Sequence, residues 1–394
     1  MEIAGIERQQ FWFIRKIMNI SETENQILQR VLEYKRHIHT HPESGWQEVA
    51  TTKYILEQLD TLSLIQGLGE NNTGAAFKVG QGQVNIFVRA DIDALKTSDG
   101  PQHLCGHSTH TAALMGAYHW LKDHESQLTA AGKQVTFIFQ PAEEIHPSGA
   151  RTFLETYTEI FSGSQYGFAI HVEPHLPTGS VQIQKGPIWA AHDSVKVEIR
   201  GKAAHVKNTP QGIDAIDGAT QVVQLFRSLQ NEFSNFGEEI VFNFNTIQGG
   251  TANNTVADKA LLTGAVRWLN RSDQERVRRF FTGLPQMLER TFPGSVNISY
   301  VSEAVPVCIN EPQLAGEIAD YMDTHSGFNV SRNGAVDLGV EDFAHYARQY
   351  NTLYSKVGID CPYDLHDPQM IVSDEATLQV YHYWKNLLQW WIEK

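Results

Sequence analysis

The spacing of apolar residues changes character along this chain, and the changes mark its parts. Over residues 21 to 37, Ile27, Leu28, Val31, Leu32 and Tyr34 recur on one helical face, with Ser21 and Glu24 as a capping box at its start. A second helix is predicted over 51 to 59. Strands follow over 73 to 79 and 83 to 88, joined by a glycine turn, and the second runs into Arg89-Ala90-Asp91-Ile92-Asp93-Ala94-Leu95. Two more buried strands, over 137 to 144 and 167 to 174, alternate with helices opening near His107 and Gly149. Each strand delivers polar groups to its own end: Asp91 and Asp93, then Glu143 and Glu144, then His171.

Near Lys185-Gly186-Pro187 the pattern shifts. Ser194-Val195-Lys196-Val197-Glu198-Ile199-Arg200 alternates strictly, as an antiparallel strand with one wet face should. A helix over 214 to 229, strands over 239 to 244 and 260 to 267, a helix over 273 to 291 and a strand over 295 to 300 complete a strand-helix-strand-strand-helix-strand order, that of a ferredoxin-like α+β sandwich. Beyond it the first texture returns, closing with a helix over 374 to 391. The expected fold class is α/β: a discontinuous domain over 1–189 and 303–394, with a central mixed sheet flanked by helices, and an inserted domain over 190–302.

Composition narrows the partners. The 394 residues carry a formal net charge of -14, which argues against nucleic acid and anionic membrane and favours a small-molecule or peptide substrate. Three cysteines, Cys105, Cys308 and Cys361, are too sparse for a disulfide framework and suit a reducing cytoplasm. The first 21 residues hold one apolar patch broken by Arg15 and Lys16, read as an amphipathic helix rather than an export signal or a membrane span.

The candidate chemistry lies at the strand ends. On an extended segment Glu143 and Glu144 would point to opposite sides, so one could bind a metal while the other serves as general base. Taken singly, a Glu-Glu pair is usually a solvated loop, a buried cysteine is usually structural, and a lone histidine ending a strand is usually a satisfied core residue. Together with Cys105-Gly106-His107 at a helix start, where the helix terminus favours a thiolate, and with His366, they form a constellation. The alternating His37, His39 and His41 read instead as a solvated helix end before Pro42.

In order along the chain, His41-Pro42-Glu43 with Glu48, Asp91-Ile92-Asp93-Ala94-Leu95, Cys105-Gly106-His107 with His110, Gln140-Pro141-Ala142-Glu143-Glu144, Ile170-His171, Gly201-Lys202 with His205, Gly249-Gly250-Thr251-Ala252 with Asn254, Glu341-Asp342-Phe343 and Leu365-His366 resemble the M20 metallopeptidase superfamily. Within it the likeness is to the amidohydrolase branch of hippurate hydrolases, N-acyl-amino-acid deacylases and auxin-conjugate hydrolases. The resemblance implies a dinuclear site with Cys105, His107, Glu144, His171 and His366 as ligands, Cys105 bridging, and Glu143 as general base. It implies two divalent ions, zinc or manganese first, with cobalt or nickel also suited to such ligands. It further implies substrate contacts from His205, Asn254 and Arg267, and a homodimer formed through the inserted domain, which would also act as a lid.

The sequence departs from the family next to the metal ligands. Ser108 stands where the family usually has aspartate, Lys96 where it has proline, and the connection to Cys105 is shortened. Asp93 and Ser108 are therefore the groups expected to orient the ligands from behind. The reading is a metal-dependent amidohydrolase acting on N-acyl amino acids. Two alternatives stay open: a dipeptidase or carboxypeptidase on the same scaffold, and a degenerate binding protein.

Overall fold

The computed structural model describes residues 21–59, 64, 65, 67–235, 240–300 and 304–394. The N-terminal segment read as an amphipathic helix lies outside them. The chain forms two compact units: one runs to Lys185 and resumes over Asn310–Gly334 and Gln349–Lys394, and the other comprises Gly186–Ile309 with Ala335–Arg348.

The first unit is built on a seven-stranded mixed sheet. In chain order its strands are β1 (Ala75–Val79), β2 (Val84–Asp91), β3 (Lys133–Gln140), β4 (Ser164–Glu173), β5 (Ser180–Gln182), β6 (Asn329–Ser331) and β7 (Asn351–Gly358). Their spatial order is β1-β3-β2-β4-β7-β5-β6. β3, β2, β4 and β7 run parallel, while β1 is antiparallel to β3 and β5 to β7. The glycine turn after β1 thus joins two strands that do not pair, because β3 lies between them. Strands buried on both faces need continuous apolar runs, and Phe87, Val88, Phe137, Ile138, Phe139, Phe168 and Ile170 supply them. Parallel pairing also brings the carboxyl ends of β2, β3 and β4 to one edge, with Asp91 opposite Gln140.

Helices cover this sheet: α1 (Glu22–Thr40), α2 (Val49–Leu59), α3 (His107–Asp123), α4 (Pro312–His325) and α5 (Asp374–Glu393). Ser21 caps α1 by accepting from the Glu24 N–H at 3.1 Å, but the capping box is only half formed. The Glu24 carboxylate turns instead to the Tyr381 hydroxyl at 3.0 Å and to Lys385 at 2.9 Å, tying α1 to α5. α3 is buried along most of its length, and Leu114, Met115, Trp384, Leu387 and Trp391 share one core with Val31 and Tyr34 of α1. Truncating a fully buried aromatic such as Trp384 to alanine costs about 3–5 kcal/mol. The connection to Cys105, expected to be short, is folded into a small hairpin of Leu95–Thr97 and Gly100–Gln102.

In the second unit the strands Val241–Gly249, Lys259–Trp268, Ala191–Arg200 and Ser295–Tyr300 form one antiparallel sheet in that order. Along Ala191–Arg200 burial alternates residue by residue, as the sequence pattern requires. Val195, Val197 and Ile199 point into a core shared with Phe226 of the helix Ala215–Asn235 and with Val277, Phe281 and Leu284 of the helix Asp273–Leu288.

Candidate metal centre

The edge where β2, β3 and β4 end gathers most of the candidate residues. β3 stops at Gln140 because Pro141 has no N–H to continue the ladder and Ala142 turns left-handed, with φ 53°. Glu143 and Glu144 therefore sit in a turn, not on an extended strand. The expectation that strand alternation separates them is corrected: with His107 they form a group whose donor atoms all lie within 4.8 Å of one another.

Cys105 and His107 arrive from the start of α3. Gly106 caps that helix with φ 88°, and a side chain there would bring a Cβ within 2.4 Å of Val172 Cγ2 on β4. Only glycine lets this loop lie so close to the strand that carries His171. The Cys105 Sγ is 3.4 Å from His171 Nε2 and 3.3 Å from His366 Nε2. His366 is itself in a left-handed conformation, φ 71°, and its N–H donates to the Leu104 carbonyl at 2.8 Å. Its Nε2 is 3.5 Å from Glu144 Oε1, which lies 4.0 Å from His107 Nε2. Cys105 belongs to two donor groups, one with His107 and His171, the other with Glu144 and His366.

The ring nitrogens facing away from the cluster are occupied. His107 Nδ1 lies 3.0 Å from the Asp93 carbonyl oxygen and 3.3 Å from Asp93 Oδ1, so its N–H is held on that side. His171 Nδ1 lies 2.7 Å from the Val172 carbonyl and donates to it. Asp93 also accepts from the Glu144 N–H at 3.0 Å, joining two segments that carry candidate ligands. Facing inward, His107 Nε2 and Glu144 Oε1 are buried without a hydrogen bond. Sulfur, imidazole and carboxylate donors at 3.3–4.0 Å from one another suit the edges of a coordination shell, where metal–ligand bonds run roughly 2.0–2.3 Å. The residues therefore fit divalent metal.

Electrostatics agrees. Burial pushes the Cys105 thiol up, against the pull of His107. A thiolate here needs positive charge at the sulfur. The neighbouring Cys105 sulfur and Glu144 carboxylate push His366 up to about 10.

Beside the cluster lies a second set of the same residue types that is fully partnered. Asp91 accepts from His110 Nδ1 at 2.7 Å through one carboxylate oxygen and from Arg89 at 2.8 Å through the other. His110 Nε2 accepts the Val172 N–H at 3.1 Å, and Arg89 Nε donates to Gln140 Oε1 at 3.0 Å. Burial works to raise the Asp91 pKa, yet His107, His110 and Arg89 hold it well below the usual range. Asp91, His107 and His110 also lie close enough to form a metal group, but both oxygens of Asp91 and both ring nitrogens of His110 already have a hydrogen-bond partner. The role of Asp91 and Arg89 was not legible from spacing; the signal was an arginine two residues from an aspartate inside an apolar strand.

Ser108 is buried and its Oγ is 3.2 Å from His39 Nδ1. Of the three N-terminal histidines, His37 and His41 stack at the exposed end of α1, ring centroids 4.5 Å apart, whereas His39 reaches back to Ser108. In the second unit, His205 and Asn254 are neighbours: Val206 N–H donates to the Asn254 carbonyl at 2.9 Å, and His205 bridges Thr255. Arg267 donates to the Leu338 carbonyl near the far end of the strand Lys259–Trp268. The unit does not bring these three together, since eight strand residues span roughly 26 Å.

The sequence profile of peptidase family M20/M25/M40 matches residues 87–390. N-acetyl-L-cysteine deacetylase of Bacillus subtilis (strain 168) is 28% identical over 384 residues, covering 93% of this chain and 88% of that protein. Thermostable carboxypeptidase 2 of Saccharolobus solfataricus is 26% identical over 385 residues, covering 92% of this chain and 95% of that protein. A solved Bacillus subtilis structure, described as a dinuclear metal binding peptidase from the M20 family, matches with a TM-score of 0.79 and 27% identity over 94% of this chain and 99% of that one.

Proposed function

Because this chain belongs to peptidase family M20/M25/M40, whose members hydrolyse amide bonds, we propose that it is a metal-dependent amidohydrolase releasing the amino acid and the carboxylic acid from an N-acyl amino acid. The observation that carries this is the inward-facing donor set, with the Cys105 sulfur between the His107–His171 and Glu144–His366 groups. In this reading those five residues hold two divalent ions, zinc or manganese. Bound there, the ions supply Lewis acidity and a more acidic water.

The remaining chemistry belongs to the chain. Glu143, beside Glu144 but outside the five ligands, takes the proton from the attacking water and returns it to the leaving amine. Asp93 keeps His107 in the tautomer that presents Nε2, and Ser108, through His39, backs the start of α3. His205, Asn254 and Arg267 are assigned to the substrate; because one copy holds Arg267 apart from the other two, the proposed dimer would have to supply them from both protomers, the Arg267 guanidinium being suited to a free carboxylate. The second unit would act as the lid and dimerisation domain, its strand Val241–Gly249 offering an edge with Ile247 exposed. A cytoplasmic location accords with three free buried cysteines; no helix among the described residues is long and apolar enough to cross a membrane.

The similarity to a carboxypeptidase supports a second reading, a peptidase on the same scaffold. One experiment separates them. Protein stripped of metal and reloaded with zinc, manganese, cobalt or nickel is given N-acyl amino acids and unblocked dipeptides. Turnover of the acylated compounds alone is expected. Preference for the dipeptides would favour the peptidase, and absence of metal binding would leave only a degenerate binding protein. Light scattering at several concentrations checks the homodimer, and a monomer throughout would remove it.

A further inference from the structure

The loop between α1 and α2 is fastened to both acid-bearing segments of the site. On one side the Ala94 N–H, next to Asp93, donates to the Glu43 carbonyl at 2.8 Å, and Ser44 pairs with Ala94. On the other, Trp46 Nε1 donates to the Pro147 carbonyl at 2.8 Å. Between them, a Cβ on Gly45 would fall 2.8 Å from Ile145 and 3.2 Å from the Ala142 Cα, so the loop lies directly on the turn that carries Glu143 and Glu144. At the end of this loop is Glu48, 0% exposed. Its Oε1 accepts the Ala142 N–H at 2.8 Å, and its Oε2 has no hydrogen bond. Glu43, by contrast, spends its carboxylate on capping α2 through the Ala50 and Thr51 N–H groups.

A buried carboxyl is costly, and a non-glycine residue at φ 53° persists only where its surroundings hold it. Here the costly group holds the strained one. We propose that Glu48 is a positioning residue for the reaction: by gripping the Ala142 N–H it fixes the left-handed turn after β3 and so sets where Glu143 stands. This inference rests on Glu143 being the general base. Burial, with the charge of Asp93 second, pushes Glu48 up to about 8, so it carries a proton at neutral pH and glutamine reproduces both its shape and its charge. A base displaced by about 1 Å loses on the order of 10²-fold in rate.

The test compares Glu48→Gln, Glu48→Asp and Glu48→Leu, with Glu143→Gln alongside, on the substrate identified by the panel, reading kcat, KM, bound metal per chain and thermal midpoint. Glu48→Gln is expected within about threefold of wild type in kcat. Glu48→Asp, whose acceptor is one methylene short, and Glu48→Leu, which has none, are expected to lose roughly 10 to 100-fold in kcat with KM and metal content unchanged. Wild-type kcat in Glu48→Asp, or a loss in folded Glu48→Gln as large as that in Glu48→Asp, overturns the proposal, as does a loss that appears only in metal content; the aspartate and glutamine variants decide even where the leucine variant does not fold. Activity retained by Glu143→Gln would instead overturn the assignment of the base.

Discussion

Two clusters of histidine and carboxylate stand side by side at the end of the first unit's sheet, and they are finished differently. In the Arg89–Asp91–His110 set both carboxylate oxygens and both imidazole nitrogens have hydrogen-bond partners. In the Cys105 set, His107 Nε2 and Glu144 Oε1 are buried with none. Buried polar groups left without partners cost roughly 1–3 kcal/mol each, so two of them facing one space beside a cysteine sulfur call for a group that completes them. Residue type does not distinguish the two clusters; the donor atoms left open do.

The sharpest break in this comparison is chemical. Glu143→Gln is expected to lower turnover about 10²–10⁴-fold while leaving metal content and thermal midpoint as in wild type; retained turnover would show that the base lies elsewhere. Next come substitutions that remove one member of each cluster. Asp91→Ala strands a buried Arg89, and is expected to destabilise the metal-free protein by about 3–5 kcal/mol in denaturant unfolding. Cys105→Ala and His366→Ala remove groups from the unfinished cluster, so they are expected to abolish metal loading with a shift under about 1 kcal/mol in the metal-free protein. Equal destabilisation by all three would erase the distinction drawn between the clusters.

Glu48 is an intermediate case, one oxygen partnered and one not, and its pH dependence sharpens the comparison. Its pKa is raised on folding, so its favourable contribution is complete below the unfolded value near 4.5 and lost as pH rises through about 8. Glutamine does not titrate. The stability of Glu48→Gln relative to wild type is therefore expected to grow between those limits and level off above them, by a few kcal/mol in all; a pH-independent difference would mean the buried carboxyl is paired as an anion. The smallest effect is expected from Ser108→Asp. A carboxylate facing His39 would charge the start of α3 and raise metal affinity up to about 10-fold by titration with a chromophoric chelator. Unchanged affinity would mean that position 108 does not communicate with the ligands.

Much of this was legible in the chain. The helical face of α1, the alternation of Ala191–Arg200 and the strands ending in Asp91, Gln140 and Glu173 follow from apolar spacing, because burial on one face or two imposes its own period. Where local pattern misled, a nonlocal contact was responsible. Glu143 and Glu144 looked like alternating strand positions, but Pro141 and the Glu48 grip on Ala142 turn the chain before either is reached. Glu24 looked like half of a capping box, but α5 offered Tyr381 and Lys385.

The sequence by itself determined the order of elements, the residue types available for chemistry and, through the succession of motifs, the family. Tertiary structure alone decided which of those residues are spent and which are left over. Cys105 meets His366 across 261 residues of chain, and His110 is silenced by the Val172 N–H from a strand 62 residues away. A side chain's valence is filled by whatever folding places beside it, and at such separations no local spacing specifies the neighbour.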